Sequence, residues 1–300
     1  MQVSTKLFNE QSVARFSALS GDIQDIQSRI ATGRNVLKAS DDPAAMVNIS
    51  AAKEQKSLLE RFETNNERAK TRLNAAEIAV TEMQNVMTRV FELSIQASND
   101  TNNKSDRQAI RAEVIQLREL MVDLANTKDA NGNSLFAGFS TNINPFIIQE
   151  NGTTIYQGDQ GTHTVHISET MRIPTSLNGA EAFMRVKTDA GYTSVFRVVD
   201  DVIEEMEEIG ASDKSLDQIK HSIEHLSVNL AKIGAITNKA EATKEAISQR
   251  KIVVIEALSG MEDADIAKLV TEMQSLIVAR DAAQQTFVKI SQQNLFDFLR

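Results

Sequence analysis

The residues best spaced for chemistry are two histidines. His221 and His225 stand four apart, the interval at which a helix can offer two imidazoles to one metal ion. No glutamate takes the second position of a zinc-protease helix. Both rings fall off the apolar positions Ile219, Ile223 and Leu226, which predicts that they face solvent. His163 and His166 are three apart in a strand-like segment, so they are predicted on opposite faces. Asp200, Asp201, Glu204, Glu205, Glu207 and Glu208 could attract a cation, yet they lack the glycine and spacing of a calcium loop. They read instead as a solvated helix face. Gly158 and Gly161 stand without the rest of a phosphate-cradling loop. Nothing sets a serine on a strained turn beside a histidine and an aspartate. The patterns predict no catalytic residue, no metal, no cofactor and no enzyme.

The elements that carry these residues are slim. Among 300 residues there are 12 Phe, 2 Tyr, no Trp and 3 Pro, so the core must come from Ala, Ile, Leu, Val and Met. A net charge of −9 argues against nucleic acid, which needs clustered Lys and Arg. Without cysteine there is no disulfide framework and no thiolate metal site. The opening Met1-Gln2-Val3-Ser4-Thr5-Lys6 lacks the apolar stretch of a signal peptide. Runs such as Ile252 to Ile255 are far too short to span a bilayer, so no membrane insertion is predicted. Composition alone thus points to the cytoplasm, unless the chain leaves by a route that needs no cleaved signal.

Heptads dominate both ends. Phe16, Leu19, Ile23, Ile26 and Ile30 alternate in steps of three and four, which is the narrow seam of a coiled coil. Gly33 offers a left-handed stop. In Ser40-Asp41-Asp42-Pro43 an aspartate can cap a new helix with proline at its first position. A longer stripe runs through Ala69, Leu73, Ala76, Val80, Met83, Met87 and Val90. After a break at Asn99 to Lys104, Ser105 and Gln108 fit a capping box. Ile110, Val114, Leu117, Met121 and Leu124 then continue the rhythm. In the second half Ile219, Ile223, Leu226, Leu230 and Ile233 form the matching stripe. Its register extends through Ala240, Ile247, Val254, Leu258 and Met261, weakened by Thr237, Lys244 and Lys251. Ile266, Leu269, Met273, Leu276, Phe287, Ile290 and Leu295 close the chain. Helix is expected over roughly two-thirds of the residues, about twice the usual share.

Between the halves the period shifts towards two. Asn131-Gly132-Asn133 signals a tight turn. Thr154-Ile155-Tyr156, Thr164-Val165-His166-Ile167 and Met171-Arg172-Ile173 read as strands punctuated by glycine and proline. The predicted fold is mainly α: a long antiparallel coiled-coil or bundle stalk formed by both chain ends, with a small β domain inserted at its tip. The limits are 1–42 and 261–300 for a terminal coiled coil, 43–141 and 194–260 for a helical rod, and 142–193 for the insertion. A two-stranded terminal seam of about 30 residues a side is marginal alone, because helical stability comes mostly from packing. The reading is therefore of ends that order when neighbouring copies cover them.

Several motifs carry a resemblance. Ala31-Thr32-Gly33-Arg34, with Ser40-Asp41-Asp42-Pro43-Ala44-Ala45, resembles the N-terminal signature of the flagellin family. Arg89 to Asn99 is similar to a stretch of its second long helix, and Ser291 to Arg300 fits its C-terminus. Asp129 to Phe139, Asn144-Pro145-Phe146 and Tyr156-Gln157-Gly158-Asp159 look like the subunits of the hook–filament junction rather than filament flagellin. So do the small insertion and the aromatic ending Phe296-Asp297-Phe298.

The resemblance implies a structural subunit exported unfolded through the flagellar export apparatus and secreted to the extracellular junction. Its implied partners are other copies of itself in a ring, flagellin, and an adjacent hook-associated protein. On that view the terminal seam of Phe16, Leu19, Ile23, Ile26, Ile30, Ile266, Leu269, Met273, Leu276, Phe287, Ile290 and Leu295 carries assembly. Filament flagellin itself, and a coiled-coil partner-binding or signalling module, are the competing readings.

Overall fold

A computed structural model describes residues 2–99, 102–189, 191–207 and 210–296, with side chains described within 6–289 of those spans. About 70% of the described residues are helical. It divides into two compact units, Met1–Leu58 with Arg250–Arg300, and Leu59–Gln249. The sequence-read limit at 42/43 falls at a helix start, that at 260/261 falls just inside a helix that ends at Glu262, and the two units divide within long helices.

In the first unit, helix α1 (Gln2–Thr32) ends where Gly33 turns left-handed at φ 68°. Helix α2 (Pro43–Ala97) begins on Asp42, whose carboxylate accepts from the Ala45 amide at 2.9 Å. Asp41 accepts from the amides of Lys38 and Leu37 at 3.0 and 3.1 Å. Those amides hold its carboxyl below the usual carboxylate range, Lys38 first. Helix α6 (Asp213–Glu262) gives way to α7 (Ile266–Phe296), which Asp265 caps by accepting from the Lys268 amide at 3.0 Å.

In the second unit, α2 and α6 run antiparallel. Partner numbers fall along one helix as they rise along the other: Lys70 meets Glu241, Gln84 meets Ser227, and Ser98 meets the Ala211 carbonyl. The expected stripe from Ala69 to Val90 is fully buried at every position. On α6 the buried members are Ile219, Leu226, Ile233, Ala240 and Ile247, with Ile223 and Leu230 half-buried. Helix α3 (Lys104–Ala125) and helix α5 (Val195–Glu205) add Val114, Met121, Val198 and Val202 to the same core.

The expected capping box at Ser105 and Gln108 is not the one formed. Asn103 caps α3, accepting from the Ser105 and Asp106 amides, and the Asp106 side chain accepts from the Asn103 amide in return. Starting two residues earlier adds helix and satisfies the same free amides.

The middle segment is the expected small β region, with its strands grouped in pairs. It forms three separate antiparallel ribbons: β1 (Phe146–Ile148) with β2 (Thr154–Tyr156), β3 (Thr164–His166) with β4 (Arg172–Pro174), and β5 (Val186–Thr188) with β6 (Gly191–Thr193). The short helix α4 (Gly179–Phe183) lies between the last two pairs. Within this unit the β3–β4 ribbon packs on the long helices. Ile167 and Ile173 pack on Ala69 and Ala240, and Asn65 Nδ2 donates to the His166 carbonyl at 2.9 Å. Two-stranded ribbons are marginal in water and need a packed face. The long helices supply it, which draws the ribbons alongside them.

Candidate assembly interface

The terminal seam is built by α1 and α7 lying antiparallel. The Asn35 amide donates to the Glu262 carbonyl at 2.8 Å and the Ala264 amide to the Gly33 carbonyl at 2.9 Å, so the helices start side by side. Farther out, Phe16 meets Phe287 edge-on at 5.8 Å, and Phe8 stacks on it at 6.1 Å. Ile23, Ile26 and Leu269 are buried. Phe16, Leu19, Ile30, Met273, Leu276 and Phe287 are half-buried. Ile266 departs from the expected seam: it is 41% exposed, set in the first turn beyond the Asp265 cap. The side chains of Ile290 and Leu295 lie outside the described residues. Phe8 was hidden from the pattern because Ser12 occupies the position between it and Phe16.

This pair leaves apolar surface uncovered. Leu7 and Val13 on α1, and Val278 on α7, are exposed. Burying such surface stabilises by roughly 25 cal/mol per Å², so the seam gains from any apolar face laid on it.

At the corner between the helices sits a buried carboxylate that the sequence did not announce. Glu262 takes Arg34 Nε at 2.7 Å and Lys53 Nζ at 2.9 Å while largely shielded from water itself. Three separate elements are fixed there by one side chain. The signal available was weak: one glutamate just past the last seam position, Met261.

The residues read for chemistry are placed differently from one another. His225 is half-buried rather than solvent-facing, because its Nε2 donates to the Glu181 carbonyl of α4 at 2.9 Å. His221 is half-buried too, along a cleft shared with Lys187, Asp189 and Glu224. His163 precedes β3 and meets Phe139 edge-on at 5.0 Å, while His166 Nε2 accepts from Arg172 Nε at 2.8 Å. Among the described residues no group of three or more His, Asp or Glu is arranged to hold a metal ion.

The acidic run is not a simple solvated face. Asp200 accepts from the buried Arg118 Nε at 2.9 Å, and Asp201 pairs with Arg197. Glu205 receives the Ser212 amide at 2.7 Å and the Ser215 hydroxyl at 2.8 Å, closing the start of α6. Glu208 lies outside the described residues.

The turn motifs converge on one knot. Asp159 accepts from the Phe139 and Gly161 amides at 2.9 and 2.7 Å and from the Ser140 hydroxyl at 2.9 Å. The Phe139 amide leads in holding its carboxyl below the usual range. The Tyr156 hydroxyl donates to the Phe136 and Asp159 carbonyls at 3.0 and 2.8 Å. Gly138, at φ 73°, faces Asp159 so closely that a Cβ would lie 2.2 Å from Oδ1. The Gln157 amide reaches the Pro145 carbonyl at 2.8 Å, and the Phe146 ring packs on Tyr156, Phe183 and Phe196.

Paired terminal helices, a long heptad body and a small insertion define a helical structural subunit. The chain belongs to the bacterial flagellin family, whose N-terminal helical region matches residues 3–141 and whose C-terminal helical region matches residues 216–299. Flagellar hook-associated protein 3 of Salmonella typhimurium is 22% identical over 323 residues and covers 100% of both chains. The Bacillus subtilis flagellin is 25% identical over 313 residues, again covering 100% of both. A hook-associated protein structure from Vibrio parahaemolyticus, described as putative in its source, superposes with a TM-score of 0.68 at 19% identity, over 74% of this chain and 100% of that one. The flagellar junction protein FlgL from Legionella pneumophila gives 0.62 at 17%, over 72% and 99%. No described helix is long and apolar enough to cross a membrane.

Proposed function

We propose that this chain is a structural, non-catalytic subunit of the bacterial flagellum that joins the hook end to the flagellin filament. Copies assemble through the terminal seam into a ring, with an adjacent hook-associated protein on one side and flagellin on the other. The chain reaches that place by the flagellar export apparatus and works outside the cell.

One observation carries the junction reading. The three junction-like motifs, Asp129 to Phe139, Asn144-Pro145-Phe146 and Tyr156 to Asp159, follow one another in the chain and meet in the Asp159–Tyr156 knot. A motif set that closes on itself supports descent with the junction subunits. The full-length likeness to a flagellin supports the second reading, a filament subunit.

Labelling the chain in intact flagella separates the two readings. A short band at the distal end of the hook is expected under electron microscopy. Label along the whole filament overturns the junction role in favour of flagellin.

A further inference from the structure

The buried seam of α2 in the second unit keeps its three–four rhythm through Leu59, Phe62, Asn66, Ala69 and Leu73. Asn66 therefore occupies a core position, only 2% exposed. Neither its amide oxygen nor its amide nitrogen has a hydrogen-bond partner, so exchanging the two atoms would satisfy neither. Other buried polar side chains of this helix pair bond to their own helix one turn back: Ser94 to Val90, Ser222 to Gln218, Asn229 to His225 and Thr243 to Lys239.

The surroundings of Asn66 are thin. The main core ends at Leu73 and Ile233. Ala69 and Ala240 belong to a separate small cluster with Ile167 and Ile173 of the β3–β4 ribbon. Between the two cores the Thr237 hydroxyl also lacks a partner. Polar links also bridge this level: the ion pairs Glu67–Lys244 and Lys70–Glu241, and the Asn65 side chain on the ribbon.

We propose that the Asn66 level is an opening point built into the α2–α6 pair. It parts and recloses locally while the core from Leu73 to Val90 stays shut, with the β3–β4 ribbon as its clasp. An unpartnered amide in a seam favours the open state, where water reaches it. Small alanines give little apolar contact in return. The long helices thereby acquire a place to yield that is fixed by sequence.

Hydrogen exchange of the full-length chain, read by mass spectrometry, tests this without reference to the flagellum. Amides of residues 62–70 and 239–247 are expected to exchange about tenfold faster than those of 76–93, the factor that one uncompensated buried polar group produces. Asn66→Leu should slow that level towards its neighbours and raise the melting temperature. Asn66→Val, a smaller change, should do the same and decides the matter if the leucine does not fit. Ile167→Ala should speed exchange at this level alone. Uniform exchange in the wild type, or faster exchange and lower melting in both Asn66 variants, overturns the proposal.

Discussion

Arg118 of α3 grips Asp200 of α5, its Nε 2.9 Å from Oδ1, while its Nη2 donates to the Gly152 carbonyl at 2.6 Å and the Thr154 hydroxyl at 2.9 Å. One buried guanidinium therefore ties two helices and the first ribbon together. Arg118→Ala leaves a carboxylate and two ribbon acceptors without their donor, a loss of about 3–5 kcal/mol. Thermal unfolding by circular dichroism should drop by roughly 10 °C. Arg118→Met with Asp200→Leu should recover much of that, since it removes both charges. A single alanine variant that melts like the wild type would refute the assignment.

Tyr156 links the knot to alkaline stability. Burial first, then the Asp159 charge, pushes its phenol up to about 12. The folded value lies above the unfolded one of about 10. Its contribution is therefore complete below pH 10 and is lost as the pH rises through 12. Tyr156→Phe should cost about 1 kcal/mol per lost hydrogen bond at neutral pH. Between pH 10 and 12 the gap between variant and wild type should narrow in chemical denaturation; a constant gap contradicts the account.

Two glycines of the first unit predict opposite signs. Gly33 holds φ 68° beyond the end of α1, so Gly33→Ala should destabilise by about 1 kcal/mol. Gly21 lies within α1 with open space where a Cβ would go, so Gly21→Ala should stabilise by about 0.5–1 kcal/mol. Melting curves of the two variants should move apart. Shifts in the same direction count against the turn assignment.

The terminal seam is tested by charge. Ile23→Asp or Leu276→Asp places an uncompensated carboxylate in the α1–α7 contact, at a cost of several kcal/mol. Cells carrying either variant should lose attached filaments, while the purified chain keeps the unfolding transition of its second unit. Normal filaments under electron microscopy would show that these positions do not carry assembly.

Sequence periodicity located the long-range packing well. From Ala69 to Val90 the three–four rhythm names side chains with no exposed surface, because a narrow seam admits one solution. Polar anchors were invisible to it. Arg118 stands beside the stripe member Leu117, and Glu262 follows Met261, so each reads as surface until its partners arrive from distant elements. The middle segment showed its strands but not their grouping. Alternation fixes which residues are extended, while the choice between one sheet and three ribbons depends on where the helices offer a face. On the terminal seam, Ile23, Ile26 and Leu269 are buried as the spacing predicts, whereas Ile266 is turned out by the helix start next to it.

The pairing of α2 with α6 also sets a timetable. Each ribbon closes on strands near in sequence, a microsecond-scale event. Lys70 and Glu241 instead find each other across 171 positions, and contacts so distant are the slow ones. Without α6, the stripe from Leu73 to Val90 has only the part of its packing that α3 and α5 supply. A chain delivered end first therefore cannot finish its core before its final third is free.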